Sequence, residues 1–282
     1  CGDCVAEMRK LPDGSVDAIV TDPPYGLGFM GKEWDALPPG PEWAEQCLRV
    51  LRPGGHVVAF GGTRTVHRLA VALEDAGFEI RDTIHWCYWS GFPKSLNLGE
   101  GRGTALKPAL EPAILARKPM TGTVADCVQE HGTGALNIDA CRIAPGDKAW
   151  PGPNEGDWSA SGHVGPWVAG GRSGTEGPEA RTSHPAGRWP ANLYHCPKPA
   201  TAEREAGTGD IAQASAGELT GGRKEGSAGL NSPRAGAGRT SAGRGNHHPT
   251  VKPVALMRWL VRLVTPPGGT VLEPFAGSGT TL

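Results

Sequence analysis

Two short segments of this 282-residue chain carry residue types suited to chemistry. The first is Asp22-Pro23-Pro24-Tyr25. An exocyclic amine on an aromatic ring is a poor nucleophile because its lone pair is delocalised. Two acceptors that take its hydrogens favour a pyramidal nitrogen and free that lone pair. Asp22 offers one acceptor, and the Pro23 carbonyl, held by the fixed φ of its ring, offers the other. Tyr25 offers a flat face on which an extruded base can stack. Read alone, the tetrapeptide is equally a proline-rich turn. The second segment is Glu273-Pro274-Phe275-Ala276-Gly277-Ser278-Gly279-Thr280. Its glycines let the backbone approach a ligand closely. No Lys follows Gly279, so it is not a phosphate-binding Walker loop, and it lacks the G-x-G-x-x-G of dehydrogenases. Alone, it too reads as a structural turn.

The surrounding elements must place both segments at strand ends. Val16 to Val20 is an apolar, β-branched run that two prolines terminate, as expected of a buried parallel strand. Thr270 to Leu272 forms a second strand directly before the glycine turn. Open α/β sheets bind ligands at such carboxyl edges. Helices are expected over Val5 to Leu11, Pro41 to Leu51, Thr63 to Ala76 and Pro253 to Val264, and one within Thr123 to Arg142. Further strands are expected over His56 to Phe60, Phe78 to Tyr88 and from Glu111 to Arg117. The alternation predicts an α/β fold with a mostly parallel sheet covered on both faces. Between Pro145 and Gly187 periodicity disappears and Gly, Pro, Ser and Trp dominate, and Gly207 to Gly245 is again Gly, Ser and Arg without period. Such composition predicts a segment that is mobile or orders only on binding.

A net charge of −1 conceals an asymmetry. Arg181 to Arg262 holds twelve Lys and Arg against five Asp and Glu, whereas the remainder holds sixteen against twenty-four. A basic segment on an acidic body suits a polyanion partner, and it also suits a solvated linker. No run of 18 apolar residues exists, so no membrane span or membrane partner is expected. Seven scattered cysteines, without a secretory leader, read as reduced thiols of a cytoplasmic protein. Cys1 and Cys4 form a C-x-x-C with no second pair at zinc spacing, so no metal is expected. The chain opens at Cys1 without Met and stops at Leu282 inside a turn leading into a helix. Both ends therefore read as cut, and the cofactor site as incomplete.

Taken in order, Asp-Pro-Pro-Tyr, a long basic insert, His248-Pro249-Thr250-x-Lys252-Pro253 and Phe-x-Gly-x-Gly resemble the β-class of DNA amino-methyltransferases. That resemblance implies a circularly permuted, Rossmann-like methyltransferase fold. It implies a catalytic half over 1–119, a partly disordered target-recognition insert over 120–245, and the start of a cofactor-binding half over 246–282. It implies S-adenosylmethionine as cofactor and double-stranded DNA with one base flipped out as partner. Methylation of the exocyclic amine, N6 of adenine or alternatively N4 of cytosine, would then proceed by direct in-line attack, as in restriction-modification. Asp22, Pro23, Pro24 and Tyr25 match the catalytic motif. Pro274 to Gly279, with Thr280, match the cofactor loop, and Glu273 stands where the family usually has Asp. His248, Thr250, Lys252 and Pro253 match the segment leading into the cofactor half. Asp3 and Cys4 resemble the motif beside the cofactor adenine. Trp86, Trp89 and Phe92 fall where the family carries an aromatic near the flipped base, Phe92 being the stacking candidate and core packing the alternative for each. Arg234, Arg239 and Arg244 are candidate DNA contacts. Other readings are an RNA or protein N-methyltransferase, for which Asn in place of Asp22 and no long insert would be usual, and an inactive DNA-binding fragment.

Overall fold

The computed structural model describes residues 2–28, 35–91, 95–143, 187–206, 251–277 and 279–281. The expected sites Phe92, Arg234, Arg239, Arg244, His248, Thr250 and Ser278 lie outside them, as does Cys1.

Helix α1 (Cys4–Met8) starts where Asp3 caps it, Oδ1 accepting from the Ala6 N–H at 2.9 Å. Strand β1 (Val16–Thr21) is buried along its whole length. Helix α2 (Pro41–Val50) opens with proline in its first turn, where a missing N–H costs nothing. Then come β2 (Leu51–Phe60), α3 (Val66–Asp75), β3 (Glu79–Cys87), the short hairpin β4 (Asn97–Gly99) and β5 (Arg102–Gly103), and β6 (Leu110–Arg117). Helix α4 (Val124–His131) carries a reciprocal Thr123–Asp126 capping box and ends at the left-handed Gly132. The chain continues through β7 (Leu193–His195), α5 (Thr201–Glu205), α6 (Val254–Val264) and β8 (Val271–Leu272).

Six strands form one sheet in the order β7-β3-β6-β2-β1-β8. The β1–β2, β1–β8 and β3–β7 pairings are parallel, and β6 runs antiparallel to both β2 and β3. The sheet is thus mixed and mostly parallel, with helices on both faces.

Alternation along the strands creates two apolar layers. Ile19, Val57 and Ala59 point to a layer with Trp43, Cys47, Leu69 and Leu73 of α2 and α3. Ala18, Val20, Val58 and Phe60 point to the opposite layer, where α6 presents Leu256, Met257, Leu260, Leu263 and Val264. That spacing puts five side chains of α6 on one apolar stripe. The helix α2 joining β1 to β2 therefore covers one face, and α6, which leads to β8, covers the other. The chain reverses its winding beside β1, and a topological switch of this kind opens a crevice at the strand ends.

Arg52-Pro53-Gly54-Gly55 has the composition of a turn closing α2, yet β2 runs through it, and its register against β1 jumps from Leu51 to His56 while β1 advances from Val16 to Ala18. Gly54 makes this irregularity feasible: φ is +72°, and a Cβ there would lie 2.6 Å from Cys127 Sγ. Leu193–His195, inside the segment expected to be the insert, pairs with β3 and extends the main sheet.

Candidate active site

The residues after β1 leave the sheet in a loop that is held from behind. Asp35, itself 3% exposed, accepts through Oδ1 from the N–H groups of Tyr25 (2.7 Å) and Gly26 (2.9 Å), and through Oδ2 from Leu27 (3.3 Å). The Thr65 hydroxyl donates to the Tyr25 carbonyl at 2.6 Å. Gly26 turns the chain at φ +66°, and a Cβ there would meet Pro38 Cδ at 2.4 Å. The loop is therefore fixed at backbone level before any ligand arrives.

Four side chains meet in front of it. Lys252 Nζ lies 2.6 Å from Asp22 Oδ2, 3.0 Å from the Tyr25 hydroxyl and 3.3 Å from Glu111 Oε2. The Tyr25 hydroxyl lies 2.8 Å from Asp22 Oδ1 and 3.1 Å from Glu111 Oε2. Glu111 reaches this edge because β6 is antiparallel to β2, which brings the start of β6 to the end of β2. Lys198, just past β7, approaches Glu111 Oε1 from outside at 3.4 Å and sits 4.1 Å from the Tyr88 ring centroid. Lys252 precedes α6, whose first N–H, on Val254, donates to Glu203 of α5 at 2.6 Å. Helix α5 thereby fixes the approach of Lys252.

Burial raises the Asp22 carboxyl above its usual range, with Lys252 only partly offsetting it. Burial would raise Glu111 as well, but the Lys252 and Lys198 charges outweigh it and hold that carboxyl low. For Lys252 burial opposes the charge, and the two carboxylates more than restore it. Burial and the same carboxylates push the Tyr25 phenol far up, so it stays a donor.

Next to this cluster, β8 pairs with β1 through Ile19 and Leu272. The following Glu273 accepts from the Thr21 hydroxyl, from the Phe275 N–H at 2.9 Å and from the Thr281 hydroxyl at 2.9 Å. Burial lifts its carboxyl to about 7. Gly277 and Gly279 adopt φ +55° and +77°, and the Gly279 N–H closes on the Ala276 carbonyl at 2.7 Å. Phe275 anchors the turn against Trp43, ring centroids 6.1 Å apart.

One cavity of ≈ 2120 Å³ joins these parts. It is lined by Asp3 and Cys4 at the start of α1, by Asp22 to Tyr25, by Lys252, and by Glu273 to Gly277 with Thr280. Burial, followed by the Asp3 charge, raises the Cys4 thiol, so it lines the cavity as a neutral group. Of the expected residues within the described regions, all but Trp86, Trp89, Pro253 and Gly279 line this one cavity. Pro253 caps α6 behind Lys252. Trp86 is 2% exposed, donates its Nε1–H to the Cys196 carbonyl at 3.0 Å and packs against Tyr88 with the rings tilted by 57°, which makes it a core residue. Trp89 is 57% exposed, with φ +55° and its ring 6.1 Å from that of His195.

Sequence reasoning missed Glu111, Lys198 and Asp35. Glu111 could have been noticed as a lone carboxylate opening the apolar run LEPAILAR. For Asp35 and Lys198 the sequence carries no comparable signal.

A switch-point crevice with a carboxylate at the end of one strand and a glycine turn at the end of its neighbour defines a ligand-binding site of the Rossmann-like class. The model of the DNA methylase family N6_N4_Mtase matches residues 16–282, and the chain belongs to that family. The family's cofactor is S-adenosylmethionine. The chain is 33% identical over 103 residues to the type II methyltransferase M.HpaI of Haemophilus parainfluenzae, covering 34% of this chain and 33% of that one. It is 25% identical over 196 residues to the type II methyltransferase M.HindIII of Haemophilus influenzae, covering 48% and 63%. It thus spans less than two thirds of the length of either relative. The cytosine-N4-specific PvuII DNA methyltransferase shares the fold, with TM-score 0.51 and 16% identity, over 99% of this chain and 74% of that one.

Proposed function

We propose that this protein transfers a methyl group from S-adenosylmethionine to the exocyclic amine of a base flipped out of double-stranded DNA, N6 of adenine being the first choice. The observation that carries this reading is the convergence in one cavity of a buried carboxylate, Asp22, and the glycine turn after Glu273.

The cavity suits the cofactor. It exceeds the few hundred to roughly 1,000 Å³ of ordinary small-molecule sites, which leaves room for a nucleotide-sized cofactor and a base side by side. The turn from Pro274 to Thr280 would hold its methionine end, and Asp3 and Cys4 would border its adenine. S-adenosylmethionine supplies an electrophilic methyl group when bound. The protein's residues prepare the other reactant. Asp22 accepts one hydrogen of the amine and the Pro23 carbonyl accepts the other, so the lone pair localises on nitrogen. Asp22, with its raised affinity for a proton, then takes the one released as the nitrogen gains its methyl group. The Tyr25 ring borders the base, its hydroxyl pinned by Asp22 and Glu111.

The type II relatives support a place in restriction-modification, and a DNA-modifying role accords with a cytoplasmic setting. Adenine is put first only because position 22 lacks the Ser that, in the family this chain resembles, would point to cytosine N4; Asp there is compatible with both amines. Cytosine N4 is the second reading, supported by the PvuII fold likeness. The proposed division into a catalytic half (1–119), a recognition region (120–245) and a cofactor half (246–282) accompanies it. The test is transfer of labelled methyl from S-adenosylmethionine to duplex DNA by the full-length protein and its Asp22→Ala variant. Loss of a key electrostatic group slows transfer by at least roughly 100-fold. Near-parental transfer by Asp22→Ala would overturn the assignment.

A further inference from the structure

Both oxygens of Asp22 are engaged. Oδ2 holds the Lys252 ammonium and Oδ1 holds the Tyr25 hydroxyl. A carboxylate in contact with an ammonium at 2.6 Å is a weakened acceptor, because the cation neutralises the charge that would draw the hydrogens of an incoming amine. Lys252 cannot simply withdraw. Its side chain is 3% exposed, and an ammonium stranded there without a partner is costly.

Glu111 resolves this conflict. Its Oε2 already lies within 3.3 Å of Lys252 Nζ and 3.1 Å of the Tyr25 hydroxyl, so each donor on Asp22 has a second acceptor within reach. The phenol carries one proton and donates to one carboxylate at a time. A turn of its O–H toward Glu111 frees Asp22 Oδ1, and a short swing of Lys252 toward Glu111 frees Oδ2. Neither move leaves a buried charge unpaired. Lys198, half-exposed, lies 3.4 Å from the far oxygen of Glu111 and adds to Lys252 in holding that carboxyl low.

We propose that Glu111 is a positioning residue that receives Lys252 and the Tyr25 hydroxyl from Asp22 when the target amine enters, so that Asp22 acts as an acceptor only once a base is in place. This rests on the reading of Asp22 as the amine acceptor.

The test is single-turnover methyl transfer by the full-length protein at saturating S-adenosylmethionine and DNA, with cofactor affinity measured separately. Glu111→Gln keeps the shape and removes the charge. Its transfer step is expected to slow by at least about tenfold while cofactor affinity stays within about twofold. Glu111→Asp, which keeps a carboxylate, is expected between parent and Glu111→Gln. The double variant Glu111→Gln, Lys252→Met removes the competing cation and is expected to be faster than Glu111→Gln alone, an outcome that a merely structural Glu111 does not produce. Parental transfer by Glu111→Gln, a double variant no faster than it, or Glu111→Asp as slow as Gln would overturn the hand-off. If Glu111→Gln fails to fold, the ranking of Glu111→Asp and Lys252→Met decides: the hand-off requires Glu111→Asp to be slower than parent and rescued by added Lys252→Met. Asp22→Ala measured alongside separates the two levels. Near-parental Asp22→Ala overturns the site itself, whereas slow Asp22→Ala with parental Glu111→Gln overturns only the hand-off.

Discussion

At the scale of single residues, the site concentrates charge where water is scarce. Glu273 shows the consequence most simply. Burial raises its carboxyl from 4.5 to about 7, so the folded protein holds a proton that the unfolded chain releases earlier. Its contribution is therefore fully present below about 4.5 and is lost as pH rises to about 7, at up to about 1.4 kcal/mol per pH unit. His56 has the opposite sign. Burial, with Arg117 and Arg81, lowers it from 6.5 to about 4, so its contribution is present above 6.5 and is lost as pH falls toward 4. The difference between parent and Glu273→Gln isolates the first group. Urea titrations between pH 4.5 and 7.5 should show the parent losing stability relative to Glu273→Gln as pH rises to 7, then running parallel to it. A pH-independent difference would show that Glu273 carries no such proton.

At the scale of elements, the loop after β1 depends on one carboxylate outside the motif. Replacing Asp35 by Ala leaves three backbone N–H groups without the acceptor described above. Unpaired buried groups cost about 1–3 kcal/mol each, and these N–H groups are only partly buried, so Asp35→Ala is expected to lower stability by about 1–2 kcal/mol. Transfer should fall further than the folded fraction, because Asp22 and Tyr25 lose their register. Chemical denaturation and rate measured at a temperature where the variant is folded check both, and a stable variant with parental rate contradicts this account. The same loop shows what was legible in the sequence. The Val16 to Val20 strand, the α6 stripe of Leu256, Leu260 and Leu263, and the two strand-end motifs announce themselves by periodicity and by proline and glycine. Such signals are local. Glu111 reaches the Asp22 cluster only because β6 runs antiparallel, and Lys198 only because β7 returns to β3; strand direction leaves no local trace. The passage of β2 through Pro53-Gly54-Gly55 was hidden for a related reason, since tertiary pairing overrode residues that ordinarily mark a turn.

At the scale of the whole molecule, a basic stretch accompanies an acidic remainder, an asymmetry compatible with the proposed DNA partner and equally with a solvated linker. Arg234, Arg239 and Arg244 lie outside the described residues, and their role as phosphate contacts is a proposal. Each phosphate contact contributes about 0.9 to the slope of log affinity against log salt, so the triple Ala variant is expected to flatten it by about 2–3. An unchanged slope would assign this stretch to tethering alone. The central claim is broader: Asp22 and the glycine turn form one site that methylates an exocyclic amine in DNA. Its most direct test is nucleoside mass spectrometry of digested DNA from cells expressing the full-length protein or its Asp22→Ala variant. The account predicts N6-methyladenine, or N4-methylcytosine under the second reading, well above the background of cells without the protein, and a return to background with Asp22→Ala. An exclusive rise in 5-methylcytosine, no new methylated base at all, or equal methylation by both proteins would contradict it.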